Sequence, residues 1–492
     1  MSQEVKIVAR TFELDSVARV SGFDTEDIAY ATNDELTLLA GKAAGVCYMP
    51  DDYFENGIQN EDKALARAEQ TAKSGHHSVY DHGHITMVIK TNKMMAMILN
   101  SLGVYTTSEK SARYTKMQPE TDLELQLYEK WKSKIRELIL NKYPNTDDSM
   151  LNTRLCKKLN VENTKIVVNN KIEISDDNLK YLGSSEDLLK ANDLLDELKK
   201  SDTLPSAKLA QENARYMISV FTPTTMMYTI SFRQAFLTLN YLYNLSVNLD
   251  NAKDAFSEKL KPYVIELWKE LDTKLGDIRL FDTKNQYIRF LEAQHIGELR
   301  QIDGLNRFIP YENLDTRLRA KKEVIGDSYT LVYEGSLAML AQAQRHRTIR
   351  YTMFLRDAGE YGWYVPAIVS NAGLSDEWLE DISSVAYCVP QGTMVRITEQ
   401  GIFEDFALKC KERMCGRAQL EIMHSTTQNT KKFINNINSL SYSNQYILKS
   451  MTVDKDEKNI IGLTPCARCQ FKDFKCSEGC QWGAKNALTR LI

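Results

Sequence analysis

The spacing of apolar positions sets the first expectations. Over Asn33–Met49 (NDELTLLAGKAAGVCYM) and Asn60–Gly75 (NEDKALARAEQTAKSG) apolar residues return at the period that collects them on one face of a helix, and Gly75 stops the second. His84–Thr91 (HITMVIKT) is short, β-branched and roughly alternating, which predicts a strand. NKMMAMILNSL then predicts a helix leading into GVYTTSEKSARYTKM. From about residue 121 to 210 the chain is charged and polar, with turn-rich YPNTDDSM and SDDNLKYLGSSEDLL. It reads as an insertion packed on one side of the fold, not as core. Glu212–Leu245 is the most apolar block of the first half, one helix broken at FTPTT before another begins, and Asn251–Lys274 reads as a solvated helix that closes that half.

Near Asp277 the pattern restarts. Asp327–Arg347 is strand-like and then helical, in the order of His84–Gly103, and Ser383–Ile422 repeats the helix, proline break and helix of Glu212–Leu245. The expectation is an α+β chain of two tandem domains, each a small antiparallel sheet packed with long helices. The first spans residues 1–275 with the insertion at about 121–210, the second 276–464, and a Cys-rich tail 465–492 follows.

Composition narrows the class. The 492 residues suffice for more than one domain and a substantial core, and scarce Gly and Pro favour helix. A net charge of −4 gives no whole-protein attraction to nucleic acid or to an anionic membrane, while a local basic pocket for a small anion stays open. No apolar run has the length of a spanning helix, and MSQEVKIVARTFELD lacks the basic-then-apolar pattern of a secretory signal. Nine cysteines, an odd count spread over a long chain, point to reduced thiols in the cytoplasm, or in the cytosol of an infected host.

The tail CARCQFKDFKCSEGC spaces Cys466, Cys469, Cys476 and Cys480 as C-x2-C-x6-C-x3-C. Two close pairs in a reducing compartment suit a structural zinc that staples a segment with little core of its own, with an iron–sulfur cluster second. Four packed thiols without metal are the plainer alternative. Cys410 and Cys415 read as helical core.

Further residues carry chemistry in combination. GHHSVYDH (Gly75–His82) precedes SEKSARY (Ser108–Tyr114), with NARYMIS and ISFR later in the first half. In the second half AQAQRHRTIRYTMF (Ala341–Phe354) is followed by Arg413 ahead of RAQLEI (Arg417–Ile422). These motifs resemble those of the flavin-dependent thymidylate synthases. That family's pattern runs G-H-x-S/T-x-x-E-H, a strand, R-x-x-Q-x-x-R-H-R, N-E-x-S-x-R-Y, A-R-x-x-L-P and R-x-x-x-x-A-Q-x-E-I. Each half keeps a different part of it. The first has Asp81 where the family prefers Glu, reads Ser101, Leu102 and Gly103 where the R-H-R triplet should fall, and has Leu242 in place of the last arginine. The second lacks G-H-x-S, has FLRDAG in place of S-x-R-Y, and has Ala386 in place of the A-R arginine.

The resemblance implies reductive methylation of dUMP to dTMP, with FAD as cofactor and NADPH and methylenetetrahydrofolate as co-substrates. It also implies active sites assembled from several subunits of a tetramer, so a tandem fusion can keep one composite class of site while the mirror-related class decays. Two such chains would pair as a homodimer resembling that tetramer. Residue by residue, it assigns Glu109, Ser111, Arg113, Arg215, Gln342 and Arg413 to the nucleotide. His76, Ser78, Asp81, Arg233, Arg345, His346 and Arg347 go to the flavin, the triplet orienting it and stabilising its charge. Arginine suits a phosphate dianion because its planar fork stays charged and donates in pairs, and a buried amide such as Gln342 reads a pyrimidine edge.

Other readings remain beside these. The product could be hydroxymethylated, or the substrate dCMP, or the chain could be a non-catalytic nucleotide-binding scaffold. The triplet could be an exposed basic turn, and the serine of SARY a helix cap. Met94, Met95 and Met97 read as core, and a metal on His76, His77, His82 and His84 is disfavoured because the matched pattern uses such histidines for flavin contact and packing. A nucleic-acid knuckle in the tail has little basic content to support it.

Overall fold

The computed structural model describes residues 3–11, 33–46, 60–74, 77–111, 115, 118–162, 165–173, 184–250, 254–275, 323–354, 362–454, 462–474, 476, 480 and 482–492. Gly75, His76, Arg113, Tyr114, the restart near Asp277 and residues 355–359 of FLRDAG lie outside them.

The first half contains β1 (Glu4–Arg10), α1 (Asn33–Val46), α2 (Glu61–Ser74), β2 (His84–Asn92), α3 (Lys93–Leu99) and β3 (Tyr105–Glu109). The inserted region supplies α4 (Asp122–Lys142), α5 (Asp148–Leu159), α6 (Ser185–Lys199) and α7 (Pro205–Ala214). β4 (Pro223–Ser231), α8 (Phe232–Asp250) and α9 (Ala255–Leu275) complete it. The second half runs β5 (Ser328–Ser336), α10 (Leu337–Ala343), β6 (Arg350–Phe354), α11 (Ala367–Asn371), α12 (Ser375–Ser384), β7 (Met394–Ile402), α13 (Phe403–Arg413), α14 (Leu420–Asn435) and α15 (Tyr442–Ser450). The strands form antiparallel sheets of order β1-β2-β4-β3 and β5-β7-β6, which makes the chain α+β.

The two halves share one succession of elements. A nine-residue strand, a seven-residue helix and a five-residue strand follow one another in each. A three-residue 3-10 turn and a nine-residue strand then lead into a helix. Corresponding backbone bonds recur. Lys93 and Met94 N–H donate to Thr222 and Val220 carbonyls, and Leu337 and Ala338 donate to Thr393 and Gln391. Ser219 bridges to Pro390, flanked by Val220 N–H to Val389 O at 2.9 Å and Gln391 N–H to Ile218 O at 2.8 Å. Exchanging the halves exchanges those two bonds, so a local two-fold axis passes through the bridge.

β4 and β7, the middle strands, correct the expectation of a helix broken by proline. In β4 the positions Thr224, Met226, Tyr228 and Ile230 point inward, but exposed Met227 hides the alternation. In β7 the inward Glu399 is charged and fully buried, which breaks the apolar pattern. Pro223 opens its strand, where a missing N–H costs no ladder bond.

The inserted region is also more central than a peripheral packing would make it. α4 opens with a capping box, Thr121 Oγ1 accepting from Glu124 N–H at 3.2 Å while Glu124 Oε2 accepts from Thr121 N–H at 3.0 Å. The other oxygen of Glu124 accepts from Ser219 N–H at 2.6 Å, which ties the helix start to the local axis. Its inner face buries Trp131 edge-on against Trp378 of α12, ring centres 4.9 Å apart, so the insertion joins the halves. α9 likewise buries Leu260, Val264, Leu267 and Leu271 along one face and is solvated only on the other.

Candidate functional site

α10 begins at Ser336, whose hydroxyl caps it by accepting from Met339 N–H at 3.0 Å, and it ends where the triplet begins. The triplet lies in the turn after the helix, with Arg345 and Arg347 exposed and His346 buried. Gln344, the residue before it, is held by the first half. Its Nε2 donates to Ser101 Oγ at 2.9 Å and to Met97 O at 3.2 Å, and its carbonyl accepts from Tyr105 OH at 2.9 Å. Arg347 reaches β3 directly, its guanidinium donating to Thr106 Oγ1 at 3.4 Å and to Thr107 O at 3.3 Å.

β3 ends at Glu109, which forms a buried ion pair with Lys93 at 2.5 Å and accepts from Thr224 Oγ1 at 3.1 Å. Burial holds the Lys93 ammonium below its ordinary pKa. Glu109 opposes that, while the charges of Arg345 and Arg215 push further down. Arginines from opposite halves therefore stand within electrostatic reach of one lysine. Arg215 follows α7 directly and is buried. Nearby, Glu421 accepts from Ser336 N–H at 2.8 Å, Ser336 Oγ at 2.6 Å and Tyr216 OH at 2.8 Å. Burial raises its pKa, and these bonds with the Arg215 charge oppose the rise. The carboxylate thus clamps the 3-10 turn of the first half to the start of α10 in the second. Gln342 carries a buried Oε1 with no hydrogen-bond partner, an acceptor left for something else.

Arg413 is the last residue of α13. Its Nε donates to His346 Nε2 at 2.9 Å and its terminal nitrogen lies 3.5 Å from Glu412. Accepting at Nε2 places the imidazole proton on Nδ1. Burial first, then Arg413 and Lys409, push His346 down to about 2, so it is neutral and its 3.8 Å approach to Glu412 is no ion pair. Lys409 lies behind it, fully buried and paired with Glu399 at 2.6 Å, a carboxylate that also accepts from Tyr329 at 2.9 Å and from Tyr333. Sequence reasoning missed this network; a buried Lys ten positions after a strand glutamate carries no local signal.

The residues expected to hold the rest of the flavin gather less fully. Asp81 and Arg233 pair with each other at 3.0 Å on an exposed surface, and Ser231 Oγ donates to Asp81 at 2.7 Å. Ser78 is exposed, and His77 is packed, its Nε2 3.0 Å from the Ala72 carbonyl. Ser111 lies just beyond β3, and its carbonyl accepts from Thr115 Oγ1 at 2.6 Å. Arg113 and His76 lie outside the described residues.

The equivalent positions in the first half form no such site. Leu102 and Leu242 are buried apolar core, Ser101 is buried, and Gly103 has φ +53°. A Cβ on Gly103 would lie 1.8 Å from Gln234 Oε1 and would strain a left-handed backbone, so a side chain where Arg347 stands in the other half requires Gln234 to move and the turn to bear that strain.

In the tail the four cysteines have different surroundings. Cys466 is packed in apolar core with Phe403 and Phe471, burial pushing its thiol up to about 11, while Cys469, Cys476 and Cys480 line a small cavity. Cys415 lies beyond the end of α13 and lines that cavity too, not the helical core expected of it. Cys410 does lie in core. Among the described residues, Glu120, Glu124 and Cys388 form a group whose ligand atoms lie within 4.8 Å of one another. Those carboxylates already accept from Lys259, Ser219 and the backbone of residues 120 and 121, so the group needs no ion. No helix among the described residues is long and apolar enough to cross a membrane.

Residues 28–244 match the family model described as thymidylate synthase complementing protein, so the family resemblance read from the first half's motifs is found there. No curated protein matches the sequence. Similar solved structures include a UMP/dUMP methylase, PolB, from Streptomyces cacaoi bound with 5-Br dUMP. The likeness is 15% identical over 49% of this chain and 78% of that one, with a TM-score of 0.24, too slight to specify a ligand.

Proposed function

We propose, from the family match of the first half, that the protein is an enzyme that methylates dUMP reductively to dTMP at one composite site built from both halves of a duplicated fold. The observation that supports this reading is the seating of the second half's triplet on the first half, Arg347 donating to Thr106 Oγ1 at 3.4 Å and to Thr107 O at 3.3 Å while Gln344 Nε2 donates to Ser101 Oγ at 2.9 Å. A dianionic phosphate needs several charged donors at once, each charge-assisted bond contributing about 1.5–3 kcal/mol, and Arg215, with Arg113 from the adjoining segment, is assigned to it. Gln342, with its unpartnered acceptor, is assigned to the N–H of the pyrimidine edge.

The implied cofactor is FAD, with NADPH as reductant and methylenetetrahydrofolate as carbon donor. The residues fit a planar anionic group: Arg345 and Arg347 present forked cations at the rim, and neutral His346 is fixed by Arg413. When bound, flavin supplies the hydride and one-carbon transfer. The chain's part is to orient it through the triplet and to hold negative charge beside those guanidinium groups. Asp81, Ser78, His76 and Arg233 are assigned to the remainder of the cofactor. A homodimer that recreates a pseudo-tetramer completes the proposal.

Purified protein given dUMP, methylenetetrahydrofolate and NADPH is expected to yield a nucleotide heavier by one methyl group, with bleaching of a yellow chromophore on NADPH addition. A hydroxymethyl gain in place of methyl would overturn the synthase reading. A colourless protein that binds dUMP without turnover would overturn the enzyme reading itself.

A further inference from the structure

The cysteines regroup in space. After α13 the chain turns through Cys415-Gly416-Arg417, and Arg417 N–H points at Cys415 Sγ at 3.5 Å. The tail is pinned to this turn by Arg468 N–H donating to Met414 O at 2.6 Å. A cavity of about 220 Å³ between them is lined by Cys415, Cys469, Cys476 and Cys480, with Arg413 and Arg417 on its wall. Backbone and sulfur approach closely here: a Cβ on Gly416 would lie 3.1 Å from Cys480 Sγ. Four sulfurs drawn from the turn after α13 and from the tail thus face one small cavity, a donor set suited to a soft cation.

We propose that Cys415, Cys469, Cys476 and Cys480 form a four-thiolate metal centre that fastens the C-terminal tail to the turn carrying Arg413. Four sulfur ligands select zinc or an iron–sulfur cluster over harder cations. No three of the four sulfurs lie within 4.8 Å of one another. A single tetrahedral zinc with bonds of about 2.3 Å draws the tail inward, and a cluster fits with less movement. Cys466 is packed in apolar core and is not among the residues that line the cavity, so it stands outside the set. Because Arg413 holds His346, the centre also fixes the second half's contribution to the candidate site.

The test is metal content of the full-length chain, reading zinc, iron and acid-labile sulfide together. Wild type and Cys466→Ser are expected to hold about one zinc, or iron with matching sulfide, per chain. Cys415→Ser and Cys480→Ser are expected to lose it at least tenfold. If either serine variant does not fold, alkylation mapped by mass spectrometry on wild type reads the same set: chelator should expose Cys415, Cys469, Cys476 and Cys480 together. Retention of metal by Cys415→Ser with loss in Cys466→Ser overturns the proposal. So does wild-type protein that holds none of these metals after reconstitution with zinc, or with iron and sulfide.

Discussion

Arg345, His346 and Arg347 follow one seven-residue helix, and Ser101, Leu102 and Gly103 follow its counterpart. One turn shows two guanidinium groups to solvent and holds a neutral histidine against Arg413. The other has a buried leucine at the centre, and a glycine under Gln234 at its end. Leu242 stands in place of Arg413 and is fully buried. The difference teaches how one succession of elements can present either a packed turn or a cationic one. Where the positions are apolar and packed, charge cannot enter at low cost, whereas the other turn keeps cations beside the buried Lys409–Glu399 pair.

Reciprocal exchange is the hardest test of that contrast. Leu242→Arg places an unpaired charge in packed core and is expected to cost about 3–5 kcal/mol, enough to unfold much of the protein in urea titration. Arg413→Leu should stay folded, because an apolar side chain suits a place where the Arg413 side chain is already only 12% exposed, while dUMP turnover falls roughly 10- to 100-fold from the loss of one charge-assisted contact. A Leu242→Arg protein of wild-type urea midpoint would show that the first-half position is still a site. Truncation separates packing from charge less severely. Leu242→Ala is expected to cost about 2–5 kcal/mol with KM for dUMP unchanged, and a raised KM would contradict its assignment to core alone.

The contrast was legible in the sequence only where chemistry sits in short motifs. The triplet, Gln342 and SEKSARY are local and were read directly. So were β2 and the two helices before it, whose apolar period is clean. β4 and β7 were lost because exposed Met227 and buried Glu399 each break the alternation that announces a half-buried strand. What binds the halves was invisible for another reason. Glu421 with Tyr216 and Gln344 with Ser101 are contacts between residues far apart in the chain, and no period or motif encodes such pairs.

Gly103 offers a smaller probe. Gly103→Ala forces a Cβ into Gln234 and strains a left-handed backbone, at about 1–3 kcal/mol. Arg347→Ala, at the corresponding exposed position, should change stability by less than about 0.5 kcal/mol while lowering kcat/KM. Equal melting shifts for the two variants would erase the distinction between packed and functional turns.

The finest difference between the turns is titration. His346 is held near 2 in the folded chain, against an ordinary value of 6.5 once unfolded, so between those values the unfolded chain binds the proton and the folded one does not. Its contribution to stability is therefore whole above pH 6.5 and is lost as pH falls. The loss between pH 6.5 and 5.5 comes to about 1 kcal/mol by linkage. Leu102, at the matching place, contributes no such slope. The urea midpoint of wild type should accordingly fall over that interval more than that of His346→Gln, which keeps a side-chain acceptor but cannot take the proton. Parallel decline in both proteins would mean that the imidazole is already protonated in the folded state, and that Arg413 is held by something other than its lone pair.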